Sequence, residues 1–130
     1  MSRKKKKLFV LLIDCNHFKQ INDEFGHAAG DRVLVEIGKV LNRKRPNVFG
    51  AARWGGDEFI VVGFCQDDAE MSRLKQELDR ELSGIRISEG RISVAVSIGG
   101  AVQEGASDMH DLIQQADVSM YRKKGIYEGT

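Results

Sequence analysis

Arg53-Trp54-Gly55-Gly56-Asp57-Glu58-Phe59 lies between two short apolar stretches, Val48 to Ala52 and Phe59 to Phe64. Two glycines between strand-like runs predict a tight hairpin, because glycine takes positive φ at little cost. Two carboxylates, Asp57 and Glu58, follow on the first residues of the returning strand. Acid groups beside a glycine tip, where a phosphate can come close to the backbone, point to a metal ion and a nucleotide. A Gly-Gly hairpin is also common as a plain turn, so the reading needs a second acidic site.

Leu8-Phe9-Val10-Leu11-Leu12-Ile13-Asp14 supplies one. Six apolar residues in a row predict a buried central strand. Asp14 ends it, where an aspartate can cap the following helix or, with Asp57, form half of a carboxylate cage. Hard divalent cations such as Mg²⁺ take one or two carboxylates together with waters and substrate phosphate oxygens. Two such ions about 4 Å apart clamp an in-line phosphoryl displacement.

Outward from these two strands, the pattern predicts strand 8–14, helices 17–24 and 29–43, strand 48–54 and strand 58–64. Gln66-Asp67-Asp68 opens a helix through Leu82, with Met71, Leu74, Leu78 and Leu82 at helical spacing. Segments 85–88 and 91–101 flank Glu89-Gly90, a second hairpin signal. Ser107-Asp108 caps a last helix to about Lys124, with Leu112, Ile113, Ala116 and Met120 inward. The order β-α-α-β-β-α-β-β-α predicts an α+β fold, a mainly antiparallel sheet with helices packed on it. Neither repeat nor linker interrupts residues 8–130, which read as one domain behind a basic, solvated tail over 1–7.

At 130 residues the chain can bury roughly two thirds of its unfolded surface. Its 20 basic and 19 acidic side chains argue against dedicated nucleic-acid binding, which needs a basic excess. No apolar run is long enough for stable insertion across a bilayer. Arg3 to Lys7 followed by Leu8 to Ile13 only superficially imitates a signal peptide, since the apolar run is short and ends in Asp14. Cys15 and Cys65 lack paired spacing and read as buried, reduced thiols, which fits a cytoplasmic location. His17, His27 and His110 have no metal-ligand spacing and read as surface or loop residues.

The block Asp14-Cys15-Asn16-His17-Phe18-Lys19-Gln20-Ile21-Asn22-Asp23-Glu24-Phe25-Gly26-His27-Ala28-Ala29-Gly30-Asp31, followed by Gly55-Gly56-Asp57-Glu58-Phe59, resembles the GGDEF domain of diguanylate cyclases. Ser97-Ile98-Gly99 and Ala116-Asp117-Val118-Ser119-Met120-Tyr121 resemble its later landmarks, so the likeness runs from about Leu8 to Lys124. It implies the palm fold, ferredoxin-like in its strand plan, that nucleotidyl cyclases share with many polymerases. It also implies a reaction: two GTP molecules join into cyclic di-GMP, each 3′-hydroxyl attacking the other's α-phosphate with release of pyrophosphate. Asp14 and Asp57, with the Cys15 carbonyl, match the ligands of Mg²⁺ or Mn²⁺, two ions per site. Glu58 matches the acidic residue near the attacking hydroxyl or the second ion. Asn22 and Asp31 match the guanine-contacting pair, although either can also be a helix cap. Gly55 and Gly56 let the nucleotide approach, Lys124 matches the triphosphate lysine, and Phe18 and Lys19 border the same site. Because two nucleotides must react with each other, the likeness further implies a homodimer.

Some positions depart from that pattern. Glu128 stands where the family usually has an arginine, and the product-binding Arg-x-x-Asp element falls on Pro46-Asn47-Val48-Phe49. The sequence also starts almost at the first strand, without the family's upstream helix. That minimal form resembles the minimal CRISPR polymerases, palm-domain proteins associated with cyclic oligonucleotide synthesis from ATP in antiviral defence. A third reading is a non-catalytic nucleotide-binding module.

Overall fold

The computed structural model describes residues 6–123. The elements are β1 (Lys7–Cys15), α1 (Phe18–Phe25), α2 (His27–Leu41), β2 (Val48–Gly55), β3 (Glu58–Cys65), α3 (Asp68–Ser83), β4 (Arg86–Ile87), β5 (Ile92–Ser93), β6 (Val96–Val102) and α4 (Met109–Lys123). Four strands form one sheet in the order β2-β3-β1-β6, with every neighbouring pair antiparallel. β1 and β2 therefore run the same way with β3 between them, the split β-α-β arrangement of ferredoxin-like folds. Their C-terminal ends, carrying Asp14 and the Gly-Gly hairpin, lie at the same end of the sheet.

β1 is central and apolar on both faces, so both faces need cover. Phe9, Leu11 and Ile13 join Val33, Ile37 and Leu41 of α2 and Met71, Leu78 and Leu82 of α3 in one core. Val10 and Leu12 point the other way and join Leu112, Ala116 and Met120 of α4 in a second. α4 seats so closely on β6 that a methyl group at Gly99 would overlap the Ala116 carbonyl and fall 2.7 Å from the Met120 Cα.

The helices begin where local chemistry directs. The Asp67 side chain accepts a hydrogen bond from Glu70 N (2.9 Å) and opens α3; Asp108 does the same for Asp111 N (2.9 Å) at α4. α2 begins at His27, two residues earlier than hydropathy suggests. Gly26 alone separates it from α1, with a φ of 91° that glycine tolerates and other residues avoid. It ends at Leu41 because Asn42 turns back, Nδ2 donating to the Gly38 carbonyl at 2.8 Å.

The strand expected over 91–101 is two strands. Ile92–Ser93 pairs with β4 in a separate two-stranded ribbon, while Val96–Val102 joins β1 in the main sheet. Between them Val94 N bonds to Ile85 O, and the Ala95 carbonyl accepts from Asn16 N. One apolar stretch thus serves two ladders, and alternation along the chain cannot reveal the change of partner.

Arg45, only 10% exposed, ties the loop before β2 to α3 through Glu81 (3.0 Å) and Glu77 (3.1 Å). The guanidinium's hydrogen bond holds the Glu81 carboxyl below the usual carboxylate range. Both cysteines are free and buried. Burial, reinforced by the nearby carboxylates of Glu70, Asp68 and Asp67, pushes the Cys65 thiol up and keeps it protonated. No helix among the described residues is long and apolar enough to cross a membrane.

Candidate active site

Sheet register assembles the acidic corner. Asp14 pairs with Glu58 on one side and with Ser97 on the other. Gly55 pairs with Glu58, so the hairpin closes on two residues, Gly56 and Asp57, and Gly56 has a positive φ of 37°. Asp57 thus belongs to the turn itself, whereas the sequence pattern places it on the returning strand; Glu58 is the first residue of β3. A register shift between Arg53 and Gly55 marks a bulge at Trp54, which adds local twist as the strand enters the turn.

Two bonds hold the tip. Arg53 Nε donates to the Gly56 carbonyl at 2.8 Å. Cys15 N donates to the Asp57 carbonyl at 3.1 Å and links the turn to the end of β1. The connection from β1 into α1 is held from the opposite side. Asn16 N donates to Ala95 O at 2.8 Å, and the buried Ser97 donates its Oγ hydrogen to Asn16 Oδ1 at 2.9 Å. His17, at φ 60°, then turns the chain into α1. Sequence reasoning passes over the Asn16–Ser97 link; its only trace there is the Ser97-Ile98-Gly99 landmark.

Asp14, Asp57 and Glu58 are half-buried, and Asp14 Oδ1 is shut off from solvent. The Cys15 thiol is buried and directed at the Asn16 carbonyl (3.9 Å), which leaves its backbone oxygen as the group relevant to a hard cation. This is an oxygen-only donor set of the kind Mg²⁺ and Mn²⁺ favour. Among the described residues no three His, Cys, Asp or Glu side chains converge into a closed cage. Two carboxylates and a carbonyl instead suit an ion whose shell is completed by phosphate oxygens and water, so the residues present fit the group.

The second part of the site lies where α1 meets α2. Asn22 is half-buried on α1, and its side chain reaches Gly30 of α2, the residue immediately before the exposed Asp31. The helix contact therefore sets Asn22 against the residue that precedes Asp31. Neither Asn22 nor Asp31 is a cap. α2 starts four residues before Asp31 and has no side-chain cap bond, and Asn22 meets the end of α1 through its backbone carbonyl, which accepts from Gly26 N at 2.9 Å. The Phe18 ring reaches the same spot and is anchored in the larger core, while Lys19 is exposed. Lys124 and Glu128 lie outside the described residues. A cavity of about 500 Å³ lined by Phe9, Arg45, Cys65 and Met71 lies towards the opposite end of the sheet and does not include the acidic corner.

The sequence matches the family described as diguanylate cyclase, GGDEF domain, over residues 1–128. The chain belongs to this family. This GGDEF domain is 33% identical over 91% of its length to the diguanylate cyclase DgcP of Escherichia coli K12, covering 36% of that protein. It is 35% identical over 93% of its length to diguanylate cyclase A of Treponema denticola, covering 33% of it. The chain thus spans about a third of the length of these curated relatives. Its fold superimposes with a TM-score of 0.82 on the GGDEF domain of DgcB from Caulobacter crescentus, solved in complex with c-di-GMP. The identity is 29%, covering 92% of this chain and 72% of that one.

Proposed function

We propose that this domain condenses two GTP molecules into cyclic di-GMP with release of two pyrophosphates. The observation that carries the reading is the register that sets Asp14 beside Glu58 and ties Asp57 to the end of β1. Family membership and the named relatives support it over the two other readings. Asp14, Asp57 and the Cys15 carbonyl hold Mg²⁺ or Mn²⁺, two ions per site. When bound, the cations neutralise charge on the phosphates and lower the cost of the in-line displacement. Glu58 lies beside the attacking 3′-hydroxyl. At each of the two junctions the O3′–Pα bond forms as the bond from Pα to the bridging oxygen breaks, pyrophosphate leaves, and the hydroxyl proton passes to water. Gly55 and Gly56 carry no side chain that would hold the phosphates off the turn, and the resemblance assigns Lys124 to the triphosphate. A GTP-consuming reaction and two buried cysteines without a disulfide suit the cytoplasm.

Asn22 and Asp31 read the base. The Asp31 carboxylate accepts from guanine N1-H and the 2-amino group, and the Asn22 amide meets N3 and the same amino group. Adenine presents an acceptor at N1 and lacks the 2-amino group. Two lost charge-assisted bonds at about 1.5 kcal/mol each amount to about 10²-fold in affinity. Calorimetry with non-hydrolysable GTP and ATP analogues should show that preference in the wild type and its fall by about 10²-fold in Asp31→Ala, to the share that Asn22 supplies. Equal binding of ATP would transfer the reading to an ATP-using synthase. The activity itself is tested by incubating the protein with each nucleoside triphosphate and Mg²⁺ or Mn²⁺ and identifying products by mass spectrometry.

One domain offers one nucleotide site, so two copies meet face to face with two-fold symmetry to join their substrates. Activity per chain should therefore rise with protein concentration. Constant specific activity over a range where sedimentation finds only monomer would contradict this.

A further inference from the structure

We infer that Gly30 sets the guanine preference of this domain by leaving space for the Asn22 amide, a role that rests on the assignment of Asn22 to the base made above. α1 and α2 are joined by the single residue Gly26, so their backbones meet closely. Gly30 is buried in that contact, one residue before Asp31. A methyl group at position 30 would overlap Asn22 Oδ1, lie 2.9 Å from Asn22 Cγ and stand 3.3 Å from the Phe18 ring. Phe18 is anchored in the core and has little room to retreat. Asn22 is half-buried, and its amide is the group that gives way.

Glycine is a poor helix former, and Gly30 is the fourth residue of α2, its N–H already bonded to the Gly26 carbonyl at 3.2 Å. What the position uses is therefore the missing side chain. The displaced atom is the amide oxygen, the acceptor suited to the guanine 2-amino group. Asp31 projects from the next residue and keeps its access to N1-H. Gly30 is thus a positioning residue that acts through Asn22 on one edge of the base.

Inosine triphosphate isolates that edge, because it differs from GTP only in lacking the 2-amino group. Binding of non-hydrolysable GTP and inosine analogues is measured on wild type, Gly30→Ala, Asn22→Ala and the double variant. The wild type should prefer guanine by about 10²-fold, the worth of the Asp31 and Asn22 bonds to the 2-amino group. Each single variant should lower the wild-type ratio by about tenfold, the worth of the Asn22 bond, leaving the part that Asp31 supplies, and the double variant should go no further than either. If Asn22→Ala lowers the ratio and Gly30→Ala keeps the wild-type value, the inference fails while the assignment of Asn22 stands. If Asn22→Ala keeps the wild-type ratio, that assignment falls and the inference with it. Independent, additive losses would show that Gly30 acts by another route. Should Gly30→Ala fold poorly, adding Asn22→Ala removes the overlapped amide. Recovery of the melting temperature supports the steric link, and no recovery overturns it.

Discussion

Asp57→Ala and Asp14→Ala should each lower turnover by about 10³-fold while leaving the fold in place. A cation clamp supplies several kcal/mol of transition-state stabilisation, and each 1.36 kcal/mol is tenfold in rate. The structure explains why stability should survive. Asp57 belongs to a two-residue turn, and its backbone carbonyl, which truncation keeps, receives the Cys15 bond. Asp14 stands directly across from Glu58, so its removal also removes a like charge. Initial rates across a Mg²⁺ or Mn²⁺ titration, with circular dichroism on the same samples, make the comparison. Near-normal rates in either variant would mean that the metal is held elsewhere.

Gly99→Val should cost about 3 kcal/mol, at the upper end of overpacking effects, and lower the melting temperature by about 10 °C. Its side chain would meet the Ala116 carbonyl and the Met120 backbone, and no rotamer change relieves contact with backbone. α4 would have to lift from β6 and loosen the core formed by Leu112, Ala116, Met120, Val10 and Leu12. Gly100→Ala is the control. Its methyl group would press only on the ends of Leu11 and Met71 side chains, at 2.8 and 2.9 Å, and these can turn away. Thermal unfolding of the two variants should separate them clearly. A wild-type midpoint for Gly99→Val would mean that α4 does not depend on close seating against β6.

Much of the fold was legible in the chain because local physics was enough. The apolar run of β1, the helical spacing of Met71, Leu78 and Leu82, and the capping aspartates Asp67 and Asp108 each determine an element from its own residues. The glycine hairpin and the polar break at Asp14 were likewise visible, because a positive φ, here at Gly56, and a polar residue closing an apolar run leave a mark at that position; that the two-residue turn is Gly56-Asp57 was not. What the sequence by itself determined is therefore every element but the division of residues 91–101, the acidic residues at their ends and the family they belong to. Tertiary structure decided the rest. It chose the partner for each half of residues 91–101, set Asp14 between Glu58 and Ser97, joined Asn16 to Ser97 across 81 positions, and made Gly30 and Gly99 sites of contact. The reason is that pairing register and the closeness of two backbones are properties of surfaces brought together from distant parts of the chain. A glycine that makes room for a neighbour looks, in sequence, like any other glycine.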